Sequence, residues 1–325
     1  MSPGLNDAEA WDRRLAELAG PAPSPLLQSW SWGEVQARAG WRIERLELTG
    51  GGIASVQLRG RAPFERGYLP RGPVPADGRV LTGLVDWARQ RGLARLRVEP
   101  EAGSDLAPVL RELGFRPAPQ VQPQHTMIVK LGSEEATLAA ISRGTRYNIR
   151  LAEKRGVAVI EGRDAEELAS QSGASAARQG IRLPPASYYQ LLLDLLPWAR
   201  TYVAEVDGEP VAAMLVIHFD GRGYYMFSGS NGKRKELKPV YAAKWAAIQG
   251  AIRAGCRDYD LWGVPPGPDK THPWYGLWEF KAGFNGELVE YAGCWDLVLG
   301  ELRHGVGEAT ERARRRLGRL LRRGD

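Results

Sequence analysis

Residues 224–296 read YYMFSGSNGKRKELKPVYAAKWAAIQGAIRAGCRDYDLWGVPPGPDKTHPWYGLWEFKAGFNGELVEYAGCWD, and the order of elements in this stretch decides the fold. Alternating aromatics at Tyr225 and Phe227 predict a strand over 224–228 that runs into a polar turn rich in Gly, Asn and Lys. A helix is expected from Pro239 to Ala254. Gly255 stops it, because a left-handed residue after the last turn is cheapest as glycine. A short strand, Arg257 to Trp262, then feeds a long Gly/Pro loop ending in Leu277-Trp278-Glu279-Phe280-Lys281-Ala282-Gly283-Phe284. Lys281 is the candidate catalytic cation, since its bulky neighbours leave little room for water.

Working outward, the residues before this stretch form a hairpin, Thr201–Val206 and Pro210–Phe219, over the favoured two-residue turn Asp207-Gly208. Upstream lie helices at 186–196, 164–179 and 134–155 and a strand at 157–161. The first half has the same grammar: strands at 41–48, 53–59 and near Tyr68, a helix from Arg79 to Gln90 before Gly92, and a strand at 93–99. WARQRGLARLRVEP there aligns with IQGAIRAGCRDYDLWG later. Few residues are shared, so the comparison rests on element order and predicts an internal duplication of a small α/β unit.

The chain has 325 residues, 43% of them hydrophobic and 25% charged, which suits two domains of an ordinary globular protein. No apolar run approaches the roughly 18 residues of a membrane span, and the N-terminus shows no signal-peptide core. Two cysteines, Cys256 and Cys294, exclude a disulfide framework. A cytoplasmic location is therefore expected. The net charge is +6, and the tail from Glu301 carries +4 of it, with eight arginines against three glutamates and Asp325. Leu302, Val306, Ala309, Ala313, Leu317 and Leu320 give that tail one apolar stripe. It reads as a surface helix, or as one that meets anionic headgroups or an RNA stem.

Four scattered histidines fall at no metal-ligand spacing with the cysteines, and no Gly-x-Ser-x-Gly elbow occurs. Arg143, Arg146, Arg150 and Lys154 share one face of the helix expected at 134–155, either as a solvated face or as a track for RNA phosphates.

The pattern SGSN…KPVYAAKWAAI…YDLWG…GLWEFKAGF resembles the signature of the Fem family, the bacterial aminoacyltransferases that build peptidoglycan bridges. Gln28-x-x-x-Trp32, Tyr68-Leu69-Pro70-Arg71-Gly72-Pro73-Val74, Gln122-Pro123-x-x-Thr126 and Arg146-Tyr147-Asn148-Ile149-Arg150 extend the resemblance over nearly the whole chain, in order. It implies an α/β fold of mixed sheets, with two tandem domains like the GNAT acyltransferases. The expected first domain is 1–133, completed by a returning segment 296–325, and the second is 134–295. It implies aminoacyl-tRNA as donor, with glycine, alanine or serine as the group carried, and a peptidoglycan precursor as acceptor. The donor is already an activated ester, so no cofactor and no metal is expected, and the protein reads as a monomer.

By the same resemblance Phe280 shapes the site beside Lys281, and Tyr188 and Tyr241 line the substrate cleft. Asp260 occupies a family-like Tyr-Asp position and could orient the following loop. Family members acting on UDP-linked precursors carry two cations that grip the diphosphate. Here those positions are Gln36, with Arg38 nearby, and Pro184, with Arg182 nearby. Together with Arg71 these are the candidate acceptor-binding residues, and the departure leaves room for a lipid-linked precursor met at an anionic membrane by the arginine-rich tail.

Two alternatives stay open. An acyl-CoA-dependent N-acetyltransferase would need a glycine-rich pyrophosphate loop. The corresponding places here read Gly229-Ser230-Asn231-Gly232-Lys233-Arg234-Lys235 and Arg71-Gly72-Pro73-Val74-Pro75, the second stripped of donors by its prolines. A non-catalytic tRNA- or envelope-associated binding protein would not require Lys281.

Overall fold

The computed structural model describes residues 7–101, 103–179 and 183–300. They divide into two compact units.

The first unit holds residues up to Ala19, then Pro25–Gln124, and resumes at Tyr291. Its elements are α1 (Ala8–Ala19), α2 (Trp30–Arg38), β1 (Arg42–Glu47), β2 (Ile53–Arg59), β3 (Arg66–Pro70), α3 (Gly78–Arg91), β4 (Arg95–Glu99), α4 (Ala107–Glu112) and β5 (Arg116–Pro117). Asp77 caps α3 by accepting from the Arg79 and Val80 amides, and Gly92, at φ +74°, closes it. Val80, Leu81, Leu84, Val85 and Ala88 turn one face of α3 onto Val56, Leu58, Leu69, Leu96 and Val98 of the sheet. Each of these valines and leucines stabilises the fold by about 1.5–3 kcal/mol when fully buried. Strands β1, β2 and β3 run antiparallel, and β4 returns parallel to β3 after the helix.

The second unit is Gly20–Ser24 with His125–Glu290. It contains β6 (His125–Lys130), α5 (Glu134–Ala140), α6 (Arg143–Lys154), β7 (Ala158–Gly162), α7 (Ala165–Gln179), α8 (Ala186–Leu195), β8 (Ala199–Val206), β9 (Glu209–Phe219), β10 (Arg222–Ser230), α9 (Pro239–Arg253), β11 (Asp258–Gly263), α10 (Tyr275–Ala282) and β12 (Glu287–Glu290). Sheet order is β12-β6-β11-β10-β9-β8-β7. Strands β7 to β10 form an antiparallel meander, and β11 runs parallel to β10 after α9. Meander, helix and parallel strand therefore recur in both units, as the element order predicts.

Helix α9 is largely apolar. Ala242, Ala243, Trp245, Ala247, Ile248 and Ala251 are buried, because the helix packs on β8 and β9 and also against α6. Gly250 on α9 is required by a close approach, since a Cβ there would collide with the Tyr202 hydroxyl.

The last described strand, β13 (Trp295–Val298), enters the first unit's sheet between β4 and β5. Arg97 grips Asp296 of β13 through two hydrogen bonds of 2.7 Å.

Three expectations change. The strand 125–130, assigned to the first domain by the boundary at 133, hydrogen-bonds to β11 and β12 in the second sheet. The helix expected at 134–155 is two helices. Ile141 is extended, and Ser142 starts α6 by accepting from the Thr145 amide. The segment 275–282, taken as the end of a loop, is the two-turn helix α10. The arginine-rich tail from Glu301 lies outside the described residues. Among the described residues no helix is long and apolar enough to cross a membrane.

Candidate active site

The site is built on a kink at the end of β11. The Asp260 carboxylate accepts from the Trp262 amide at 2.7 Å and from the Thr126 hydroxyl on β6. These bonds hold Trp262 at φ +59°, a left-handed conformation costly for a bulky residue, and the register with β6 slips between Asp260 and Gly263. Two carbonyls are thereby left for another donor. Lys281 Nζ donates to Gly263 O at 2.8 Å and to Trp262 O at 3.4 Å.

Helix α10 sets the position of Lys281. It ends at Gly283, whose carbonyl accepts from the Ser142 amide at 3.0 Å. A Cβ at residue 283 would collide with Thr145 Oγ1 of α6, so glycine lets the two helix ends meet. Lys281 is 4% exposed. Burial strips its hydration and pulls its pKa down from the ordinary 10.5 to about 7, against the opposing pull of Asp260.

A second lysine lies behind it. Lys244 of α9 is fully buried and, among the described residues, has no hydrogen-bond partner. Its Nζ sits 2.5 Å from the centre of the Tyr225 ring, and Lys281 Nζ lies 5.4 Å from the same centre. Burial first, and the Lys281 charge second, push its pKa well below the usual value. Sequence reasoning missed Lys244. The available signal was its setting in PVYAAKWAAI, where apolar residues surround it on every helical face.

Successive residues on a helix point about 100° apart, so Phe280 serves a different space from Lys281. Its ring meets Tyr241 edge-on at 5.1 Å and Phe284 at 5.4 Å. Phe280 and Tyr241 wall a cavity of about 270 Å³ whose rim carries Lys233, Lys235 and Lys238. Lys238 takes φ +61° as it enters α9, with no side chain capping the helix. The Tyr241 hydroxyl, its pKa raised by burial, lies beside Asn148 of α6.

The structure thus brings Phe280 and Tyr241 together at one cavity, with Lys281 on the neighbouring face of α10. Tyr188, on α8, is half-buried and packs edge-on against Phe227 of β10 at 6.3 Å. Gln36, Arg38 and Arg71 belong to the first unit. Gln36 is buried on α2 and Arg38 is exposed in its last turn. Arg71 is buried; its guanidinium donates to Pro123 O at 2.7 Å and stacks 3.9 Å from the centre of the Tyr291 ring. Arg182 lies outside the described residues.

The basic face changes in membership. Arg146 turns back to donate to the Ala139 and Ile141 carbonyls, closing the end of α5. Arg143, Arg150 and Lys154 are exposed, and Tyr147 stands among them.

The sequence profile of the FemAB family matches residues 199–312, a span that contains β8 to β11, the kink and α10. This part of the chain is similar to the FemAB family. The lipid II:glycine glycyltransferase of Staphylococcus haemolyticus (strain JCSC1435) is 22% identical to this chain, over 85% of it and 88% of the relative. The crystal structure of FemX superposes with a TM-score of 0.80 at 20% identity, covering 92% of this chain and 98% of that one. A tandem GNAT protein from the clavulanic acid biosynthesis pathway follows at 0.57 and 14%, covering 91% and 96%. These likenesses show the fold, a mixed α/β chain of tandem GNAT-like units.

Proposed function

We propose that this chain is a Fem-family aminoacyltransferase that moves glycine, alanine or serine from aminoacyl-tRNA to an amine of a peptidoglycan precursor. The observation that carries the reading is Lys281, buried and aimed by two carbonyls, one residue from a phenyl ring that walls a lysine-rimmed cavity. The name of the staphylococcal relatives, lipid II:glycine glycyltransferase, supports a lipid-linked acceptor.

The reaction needs no outside activation. The acceptor amine attacks the ester carbonyl, the C–N bond forms, and negative charge collects on the carbonyl oxygen. Two N–H groups of the Lys281 ammonium are held by Gly263 and Trp262, and the third is left for that oxygen. A preorganised donor in a water-poor site is worth about 10²–10³ in rate. As the C–O bond breaks, a group with a pKa of about 7 can hand its proton to the departing ribose hydroxyl and regain one from the amine. The cations Lys233, Lys235 and Lys238 suit the phosphates next to the ester.

The test is incubation with charged tRNAs and either lipid-linked or UDP-linked precursor, read by mass. A product heavier by one glycine, alanine or serine residue supports the reading. Transfer from acyl-CoA, with none from any charged tRNA, replaces it with the N-acetyltransferase.

A further inference from the structure

Helix α6 presents Arg143, Tyr147, Arg150 and Lys154 at i, i+4, i+7 and i+11, one face of a 3.6-residue helix. Tyr147 is 63% exposed, and the three cations are exposed as well. Among the described residues none of the three pairs with a carboxylate, although many other arginines of the chain do. Arg150 and Lys154 repel each other at i,i+4, and Arg143 sits in the first turn, where the helix dipole disfavours a cation. Nothing internal offsets these costs, so the face is complementary to an external polyanion.

Both flanks of this helix connect to the cavity beside Phe280. Asn148, next to Tyr147, lies beside the hydroxyl of Tyr241, which walls the cavity. Arg155, which follows Lys154, donates to Glu236 O at 3.3 Å, in the turn that carries Lys235 of the rim. The four side chains span about 16 Å at 1.5 Å per residue, the reach of a few nucleotides. A single exposed ring between cations suits an unpaired base, which stacks on its face while phosphates meet the charges. A membrane surface is a poorer match, because insertion needs a broad apolar face and Ser142, Gly144 and Glu153 flank this one.

We propose that this face of α6 is the track for the single-stranded 3′ end of an RNA donor. An unpaired base stacks on Tyr147, and phosphates follow Arg143, Arg150 and Lys154, delivering the terminal ester to the cavity. The proposal rests on the aminoacyl-tRNA reading above.

The experiment measures binding of two uncharged RNA minihelices by fluorescence anisotropy over a salt series, one with a four-nucleotide 3′ overhang and one blunt. Wild type is expected to favour the overhang. Tyr147→Ala removes that preference by about tenfold with an unchanged salt slope, while Tyr147→Phe keeps it. Arg150→Gln with Lys154→Gln instead lowers the slope by about 1–2 and spares the preference. Because all three side chains are exposed, folding should survive, and circular dichroism checks it. If wild type prefers the overhang and Tyr147→Ala preserves that preference, the track is refuted and the donor reading stands. No RNA binding by wild type refutes both. Vesicles of anionic lipid that lose binding with Tyr147→Ala, while RNA binding is unaffected, assign the face to a membrane instead.

Discussion

Lys244 and Lys281 approach one aromatic ring, that of Tyr225, from 2.5 and 5.4 Å. Their nitrogens therefore lie no more than 7.9 Å apart, the sum of those two distances. Two charges at that separation repel by at least about 2 kcal/mol at an effective dielectric of 20. The pair therefore favours a single proton. Lys281 is its better holder, having two carbonyls and a nearby Asp260, whereas Lys244 has no acceptor among the described residues.

Stability should consequently rise with pH near neutrality. Both lysines bind protons less tightly folded than unfolded, so between about 7 and 10.5 for Lys281 the unfolded chain carries the extra proton. Each lysine then contributes a slope of up to about 1.4 kcal/mol per pH unit. Urea unfolding at pH 7 and pH 9 should show wild type gaining on a Lys244→Met/Lys281→Met variant as pH rises. A constant gap between them would show that neither lysine is perturbed.

Turnover should depend on the Lys281 proton. Lys281→Ala is expected to fold normally and to lose about two orders of magnitude or more in kcat. In wild type, kcat/KM for the charged donor should fall as pH rises through about 7, where Lys281 loses its proton. Lys281→Arg should lack that limb, because guanidinium stays charged, and rescue should be poor because a planar fork does not replace a compact ammonium. A limb near 7 that survives in the arginine variant belongs to another group.

The meeting of α6 and α10 gives a structural prediction. Gly283→Ala drives a methyl into Thr145 Oγ1 and should cost about 1–3 kcal/mol, with kcat reduced because Lys281 moves with its helix. Adding Thr145→Ala makes room, so the double variant should recover part of both losses. Strictly additive losses would mean that the two residues do not compete for this space.

On the acceptor side, Gln36 and Pro184 stand where UDP-precursor enzymes of the resembling family carry cations, so a lipid-linked precursor should outcompete a UDP-linked one. Changing Arg315, Arg319, Arg322 and Arg323 to Gln should weaken binding to anionic vesicles, each arginine near the surface being worth about 1 kcal/mol. Preference for the UDP form would return attention to Arg38 and Arg182 as diphosphate ligands.

Much of this was legible in the residues. Gly92 and Gly255 announced helix ends, Asp207-Gly208 announced a hairpin, and Lys281 stood out because its neighbours are apolar. What escaped depends on partners distant in sequence. Arg146 looked like part of a charged face because its acceptors are main-chain carbonyls, which no residue pattern displays. Lys244 was passed over because helical lysines ordinarily reach solvent, and only packing on two sides of α9 denies it that. The left-handed Trp262 is set by Asp260 two residues earlier, while propensity alone argues against a bulky residue there.

Strand β13 comes from the end of the described chain yet pairs on both sides, with β4 and with β5. During synthesis, therefore, the first unit emerges early but cannot close its sheet until residues 295–298 leave the ribosome, whereas His125–Glu290 is already complete. A nascent chain stopped near residue 290 would carry β4 as an unpaired edge, the kind of strand that recruits other chains. Truncations before Trp295 should thus aggregate through the half of the protein that was made first.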